Sequence, residues 1–148
     1  MQGILEKNVI IGLQAKDRNE AIMKLVEKLE KNGHIHKSYY DDVIKREESY
    51  PTGLPTEGVN IAIPHAKSEA IIDSTIGLAV LETPVVFNNM ADASEALAVE
   101  IIFLIANSAS TEQTVILQQL MEKFSDEEIL IALSKADTTK KVMDLVGS

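Results

Sequence analysis

Val99-Glu100-Ile101-Ile102-Phe103-Leu104-Ile105-Ala106 is apolar at every position but one. A strand with one face in water would alternate, so this run predicts a strand buried on both faces, as in a sheet held between two layers of helix. Outward from it, residues 75–81 read as the preceding strand, bending at Pro84 into Val85-Val86-Phe87, and Val59-Asn60-Ile61-Ala62-Ile63 alternates until Pro64, which has no N–H to give a ladder. Asn8-Val9-Ile10-Ile11-Gly12-Leu13 is β-branched and supplies a first strand. Between the first strand and the second, Asp17 and Glu20 have N-cap spacing, and Ile22, Leu25, Val26 and Leu29 keep helical spacing until Asn32-Gly33. Ser38 with Asp41 predicts a second cap, for a helix through Tyr40, Val43 and Ile44 that ends before Pro51-Thr52-Gly53-Leu54-Pro55. Downstream of the apolar strand three helices are predicted, over 111–124 with Val115, Ile116, Leu120 and Met121 facing the core, then 126–133, then 139–146. The order β-α-α-β-β-β-α-α-α predicts an α/β fold in which a mixed β-sheet carries helices on both faces, a three-layer single domain over residues 1–148 with no internal repeat.

The chain has 148 residues and no cysteine, so disulfides, thiolate metal sites and a catalytic thiol are excluded. At 45% hydrophobic and 25% charged it lies within the globular range. No apolar run approaches the roughly 20 residues of a spanning helix and no signal peptide opens the chain, which predicts a cytoplasmic protein without membrane insertion. Its 23 acidic residues against 14 basic ones leave a net charge of −9, a poor match for nucleic acid. A phosphate-handling site in this field needs local cations or backbone donors, and the only arginines are Arg18 and Arg46.

Gly53-Leu54-Pro55-Thr56-Glu57-Gly58 has the glycine spacing of a nucleotide-binding P-loop, but Val59-Asn60 stand where lysine and a hydroxyl residue are required, so a turn explains the glycines better. The three histidines, His34, His36 and His65, give too few ligands for a metal centre, and no cofactor motif is present. His34 and His36 read as a solvated loop beyond the first helix. His65 stands at a rigid strand end behind Pro64, where free backbone amides are expected. A satisfied structural histidine and a neutral nucleophile are both open readings there.

Arg46-Glu47-Glu48-Ser49-Tyr50-Pro51-Thr52-Gly53-Leu54, followed by Ile61-Ala62-Ile63-Pro64-His65, resembles the signature of the type 2 (fructose–mannitol) IIA domains of the bacterial sugar phosphotransferase system. The resemblance implies a phosphotransferase component in which His65 accepts a phosphoryl group from the phosphocarrier HPr and passes it to a cysteine of a IIB partner, which serves a membrane IIC permease. Many mannitol-like members carry a second histidine where this chain has Gln113, and glutamine there resembles the galactitol-type members, pointing to a hexitol as the sugar. A regulatory role like that of the nitrogen-type IIA branch is the alternative; that branch usually keeps the second histidine.

Phosphoryl transfer asks chiefly for positioning and charge stabilisation. Arg46, the Thr52 hydroxyl, Gly53 at the threonine-glycine turn and Gln113 are therefore the candidate phosphate contacts around His65. Leu54, Ile63 and Ala66 are the expected apolar rim for HPr and IIB, which would meet one shared surface.

Overall fold

The computed structural model describes residues 3–108 and 113–147. Its elements run β1 (Ile4–Leu13), α1 (Arg18–Lys31), α2 (Tyr39–Ser49), β2 (Gly53–Leu54), β3 (Asn60–Ala62), β4 (Thr75–Asn89), β5 (Asp92–Ala106), α3 (Gln113–Lys123), α4 (Glu127–Ser134) and α5 (Thr139–Val146). One mixed sheet holds all the strands. β4 lies parallel to β1 on one side and antiparallel to β5 on the other, and β3 runs parallel to the far side of β5. The unforeseen β2, only two residues long, is antiparallel to β3 and meets β4 at Gly53 and Asn89, so the pairings β4, β5, β3, β2 close on themselves at that end.

Alternation along β5 explains its continuous apolarity. Ile102, Leu104 and Ala106 face one core with Leu25, Val26 and Leu29 of α1 and Tyr39 and Val43 of α2. Ile101, Phe103 and Ile105 face a second core with Leu120 of α3, Leu130 and Leu133 of α4 and Val142 and Val146 of α5. The sheet is thus the middle layer of three, as its sequence predicts.

Helix α1 has the predicted ends. The Asp17 carboxylate accepts the Glu20 N–H, and the C-terminus closes with Gly33 N–H to Glu30 C=O and His34 N–H to Leu29 C=O, both 3.0 Å. That closure needs the left-handed φ of +83° at Gly33, which glycine adopts without penalty. Helix α2 starts differently from expectation. Ser38 is itself helical in φ and ψ and its side chain caps nothing, because the helix enters through a tight turn in which the His36, Lys37 and Ser38 carbonyls accept the N–H groups three residues on.

The long strands exceed their predicted lengths. β4 runs on past Pro84 to Asn89 with a register shift between Val80 and Val85, and β5 begins at Asp92, where residues 92–96 are exposed and give the sequence no apolar run to read. β1 starts four residues early, at Ile4, and β3 is shorter than predicted because Ile63 already leaves the ladder. In α3, Val115 and Met121 are exposed, and the buried side is formed by Leu120 with Ile116 and Leu117, continued by Phe124, whose ring lies 4.6 Å from that of Phe103. The predicted helix start at Thr111 falls outside the described residues.

Candidate functional site

Residues 63–66 leave the sheet while still fastened to it. Ile63 N–H donates to Thr52 C=O at 3.3 Å, and Pro64 C=O accepts Ile105 N–H at 3.0 Å. Between these anchors and Ala66, His65 forms an isolated parallel bridge with Ile105 of β5. The imidazole is half-buried, and its Nδ1 lies 2.8 Å from the Ile63 carbonyl oxygen. A carbonyl only accepts, so Nδ1 carries the proton and the lone pair of the neutral ring is on Nε2. Burial pushes the His65 pKa below its ordinary 6.5; the Ile63 carbonyl opposes this and the Arg46 cation reinforces it. At neutral pH the ring is therefore an uncharged nucleophile with one nitrogen fixed.

The ring opens on a pocket of about 390 Å³ lined by Asp42, Lys45, Arg46, Ser49 and Tyr50 from α2 and its end, and by His65, Ala66 and Lys67. Three cations against one carboxylate, in a chain of net charge −9, make this the local reversal of field that an anion requires. Arg46 is exposed and its guanidinium carbon lies 4.2 Å from the centre of the Tyr50 ring, stacked as a cation on an aromatic face. Arg46 and His65, 65 − 46 = 19 residues apart, thus share one pocket.

The other candidates are placed differently. Thr52 is buried, its Oγ1 and its N–H each donating to the Glu47 carboxylate at 2.7 Å, so the hydroxyl proton is engaged and does not face the pocket lining. Glu47 is itself buried; desolvation raises its pKa, the two Thr52 hydrogen bonds pull it back, and Arg18 adds a smaller lowering. Gly53 is a packing position: a Cβ there would stand 2.6 Å from the Asn88 carbonyl oxygen, so any side chain would push β2 from β4. Ile63 is buried in the core under α3 to α5 and does not form the expected open rim, and Leu54 is half-buried against the same core. Ala66 lines the pocket, though almost wholly buried. The backbone of Gln113 opens α3, and its side chain lies outside the described residues.

The Ala66 N–H, expected to be free, is held at 3.2 Å by the hydroxyl of Tyr39. Sequence reading missed Tyr39 and Glu47 as well as the pocket residues Lys45, Tyr50 and Lys67. Glu47 and Tyr50 lie inside the quoted signature, and Lys67 lies two residues past His65; Tyr39 gives no signal beyond the helical spacing that buries it.

His34 is not in a solvated loop. It is buried, with Nδ1 donating to Asp73 Oδ1 at 2.7 Å and Nε2 accepting from Asn8 Nδ2 at 3.0 Å. The Asn8 carbonyl oxygen accepts Asn32 Nδ2 at 2.8 Å, which leaves the amide NH2 for the ring. His36 is exposed.

A model of the family described as "Phosphoenolpyruvate-dependent sugar phosphotransferase system, EIIA 2" matches residues 4–148. The mannitol-specific EIICBA component of Pasteurella multocida is 31% identical over 147 residues, which are 97% of this chain and 22% of that protein. The chain therefore spans about a fifth of that relative's length. The galactitol-specific EIIA component of Escherichia coli O6:H1 is 27% identical over 122 residues, 82% of this chain and 81% of that one. The crystal structure of IIA mannitol from Escherichia coli has the same fold, with a TM-score of 0.79 at 24% identity over 94% of this chain and 95% of that chain.

Proposed function

The chain belongs to the EIIA 2 family of the phosphoenolpyruvate-dependent sugar phosphotransferase system, and from that premise we propose that it is a cytoplasmic phosphoryl carrier, one IIA domain over residues 1–148, with His65 as acceptor. What carries the reading is one arrangement: a neutral imidazole with Nδ1 tied to the Ile63 carbonyl, in a pocket that also holds Lys45, Arg46 and Lys67.

Nε2 of His65 attacks the phosphorus of a phosphohistidine on HPr; the new N–P bond forms as the donor's N–P bond breaks in line. The proton remains on Nδ1, so the ring becomes cationic as the bond forms, and its hydrogen bond to the Ile63 carbonyl strengthens with that charge. Arg46, with Lys45 and Lys67 beside it, balances the phosphoryl oxygens. In the second half-reaction the thiolate of a IIB cysteine displaces Nε2, and the neutral Nδ1–H ring is restored for another cycle. The permease IIC is served through IIB. The names of the mannitol-specific and galactitol-specific relatives support a hexitol as the transported sugar.

The test is transfer of radiolabel from phospho-HPr to the purified chain. Wild type takes up acid-labile label and His65→Ala takes up none while unfolding at a similar temperature; label on the alanine variant at the wild-type rate would end the assignment.

A further inference from the structure

Tyr39 is the first residue of α2 and is fully buried between that helix and the sheet. Its hydroxyl lies 2.7 Å from the Ile105 carbonyl oxygen and 3.4 Å from that of Ala66, and accepts the Ala66 N–H at 3.2 Å. Burial raises its pKa far above the ordinary value of 10, so the phenol keeps its proton and donates it to Ile105.

Ile105 N–H bonds to Pro64 C=O, and in the parallel bridge between His65 and Ile105 the Ala66 N–H faces Ile105 C=O at the next step. The phenol oxygen lies within hydrogen-bond reach of both groups of that step and bonds to each. The strand is thereby fastened to Ile105 on one side of His65 by the backbone and on the other side by a side chain. We infer that the Tyr39 hydroxyl is a positioning group for phosphoryl transfer, a tie between Ala66 and β5 that sets the direction in which His65 presents Nε2 to the pocket. This rests on the reading of His65 as the acceptor.

The same helix carries Arg46 seven residues on, two turns along α2. One rigid element thus sets both the backbone of the nucleophile and the cation beside it. Tyr39→Phe keeps the ring that fills the core and removes only that tie, so the backbone at Ala66 is held to β5 less firmly and the His65 turn is free to shift. In-line transfer tolerates such a displacement poorly, and a shift of about 1 Å is enough for a hundredfold loss of rate.

The experiment measures label transfer from phospho-HPr across a range of donor concentrations, together with NMR titration of the histidine rings. Tyr39→Phe is expected to lower kcat by about tenfold to a hundredfold with KM unchanged. The His65 midpoint moves toward 6.5 as the ring is released. A variant that transfers at the wild-type rate, or one that loses rate only in proportion to its loss of folded protein with the His65 midpoint unmoved, overturns the inference. Wild type that charges at a residue other than His65 overturns the acceptor reading beneath it instead. One measurement needs no variant: in wild type the Ala66 amide exchanges with solvent as slowly as the amides of β5, and exchange as fast as at an exposed loop position contradicts the tie.

Discussion

His34 and His65 are both withdrawn from water and both have Nδ1 fixed by an oxygen acceptor, yet they have opposite uses. At His34 the second nitrogen accepts from Asn8, whose own side chain is held by Asn32 and donates to Thr75, so the imidazole closes a network joining β1, the end of α1 and the start of β4. At His65 no side chain or backbone group among the described residues bonds to the second nitrogen, and the residue lines a pocket that also holds Lys45, Arg46 and Lys67. Burial alone does not distinguish a structural histidine from a reactive one; the partner of the remaining nitrogen does.

The comparison sharpens most if the field at His65 is removed. Arg46→Ala should slow transfer by about a hundredfold, the scale for losing one donor to a developing anion, with partner binding less affected. Arg46→Lys should recover little if both guanidinium nitrogens are used. Equal rates for wild type and Arg46→Ala would leave Arg46 as no more than a cation stacked on Tyr50.

His34→Ala should do the reverse. It leaves the Asn8 amide with Thr75 as its remaining acceptor and one N–H unpaired in a fully buried place, at a cost of about 1–3 kcal/mol in urea unfolding, while the label transferred per folded molecule stays at the wild-type level. Loss of transfer without loss of stability would mean that the two histidines are not independent.

A smaller effect separates the variants by pH. The native pKa of His65 lies below the unfolded value of 6.5, so between the two the unfolded chain binds the extra proton. The associated stability is fully present above pH 6.5 and is lost as pH falls through the native value. Wild type should therefore lose stability faster than His65→Asn on acidification below 6.5, as read from urea midpoints at a series of pH values. Parallel curves would contradict the desolvated setting of the ring.

The layered fold is legible because a strand buried on both faces has no other way to read than the run from Val99 to Ala106, and because α1 carries its own start and stop signals in Asp17 and Gly33. β2 is not legible, since two residues hold no period; Gly53 is there because the Asn88 carbonyl comes within 2.6 Å of where a Cβ would sit. In α3 the helix is readable and its rotation is not: Val115 and Met121 are as apolar as Ile116 and Leu117, and only the position of Phe103 opposite Phe124 decides between them. The site divides in the same way. His65 and Arg46 stand out through residue type and order, whereas Thr52 turns away to Glu47 and Tyr39 enters the ladder at Ala66 through contacts that join distant parts of the chain.

The most direct test of the account is phosphorus and nitrogen NMR on the phosphorylated protein with its histidines labelled. The phosphoryl group is expected on Nε2 of His65, with Nδ1 still protonated and hydrogen-bonded to Ile63, and with the rings of His34 and His36 unmodified. A phosphoryl group on Nδ1 of His65, or on either of the other histidines, would contradict it.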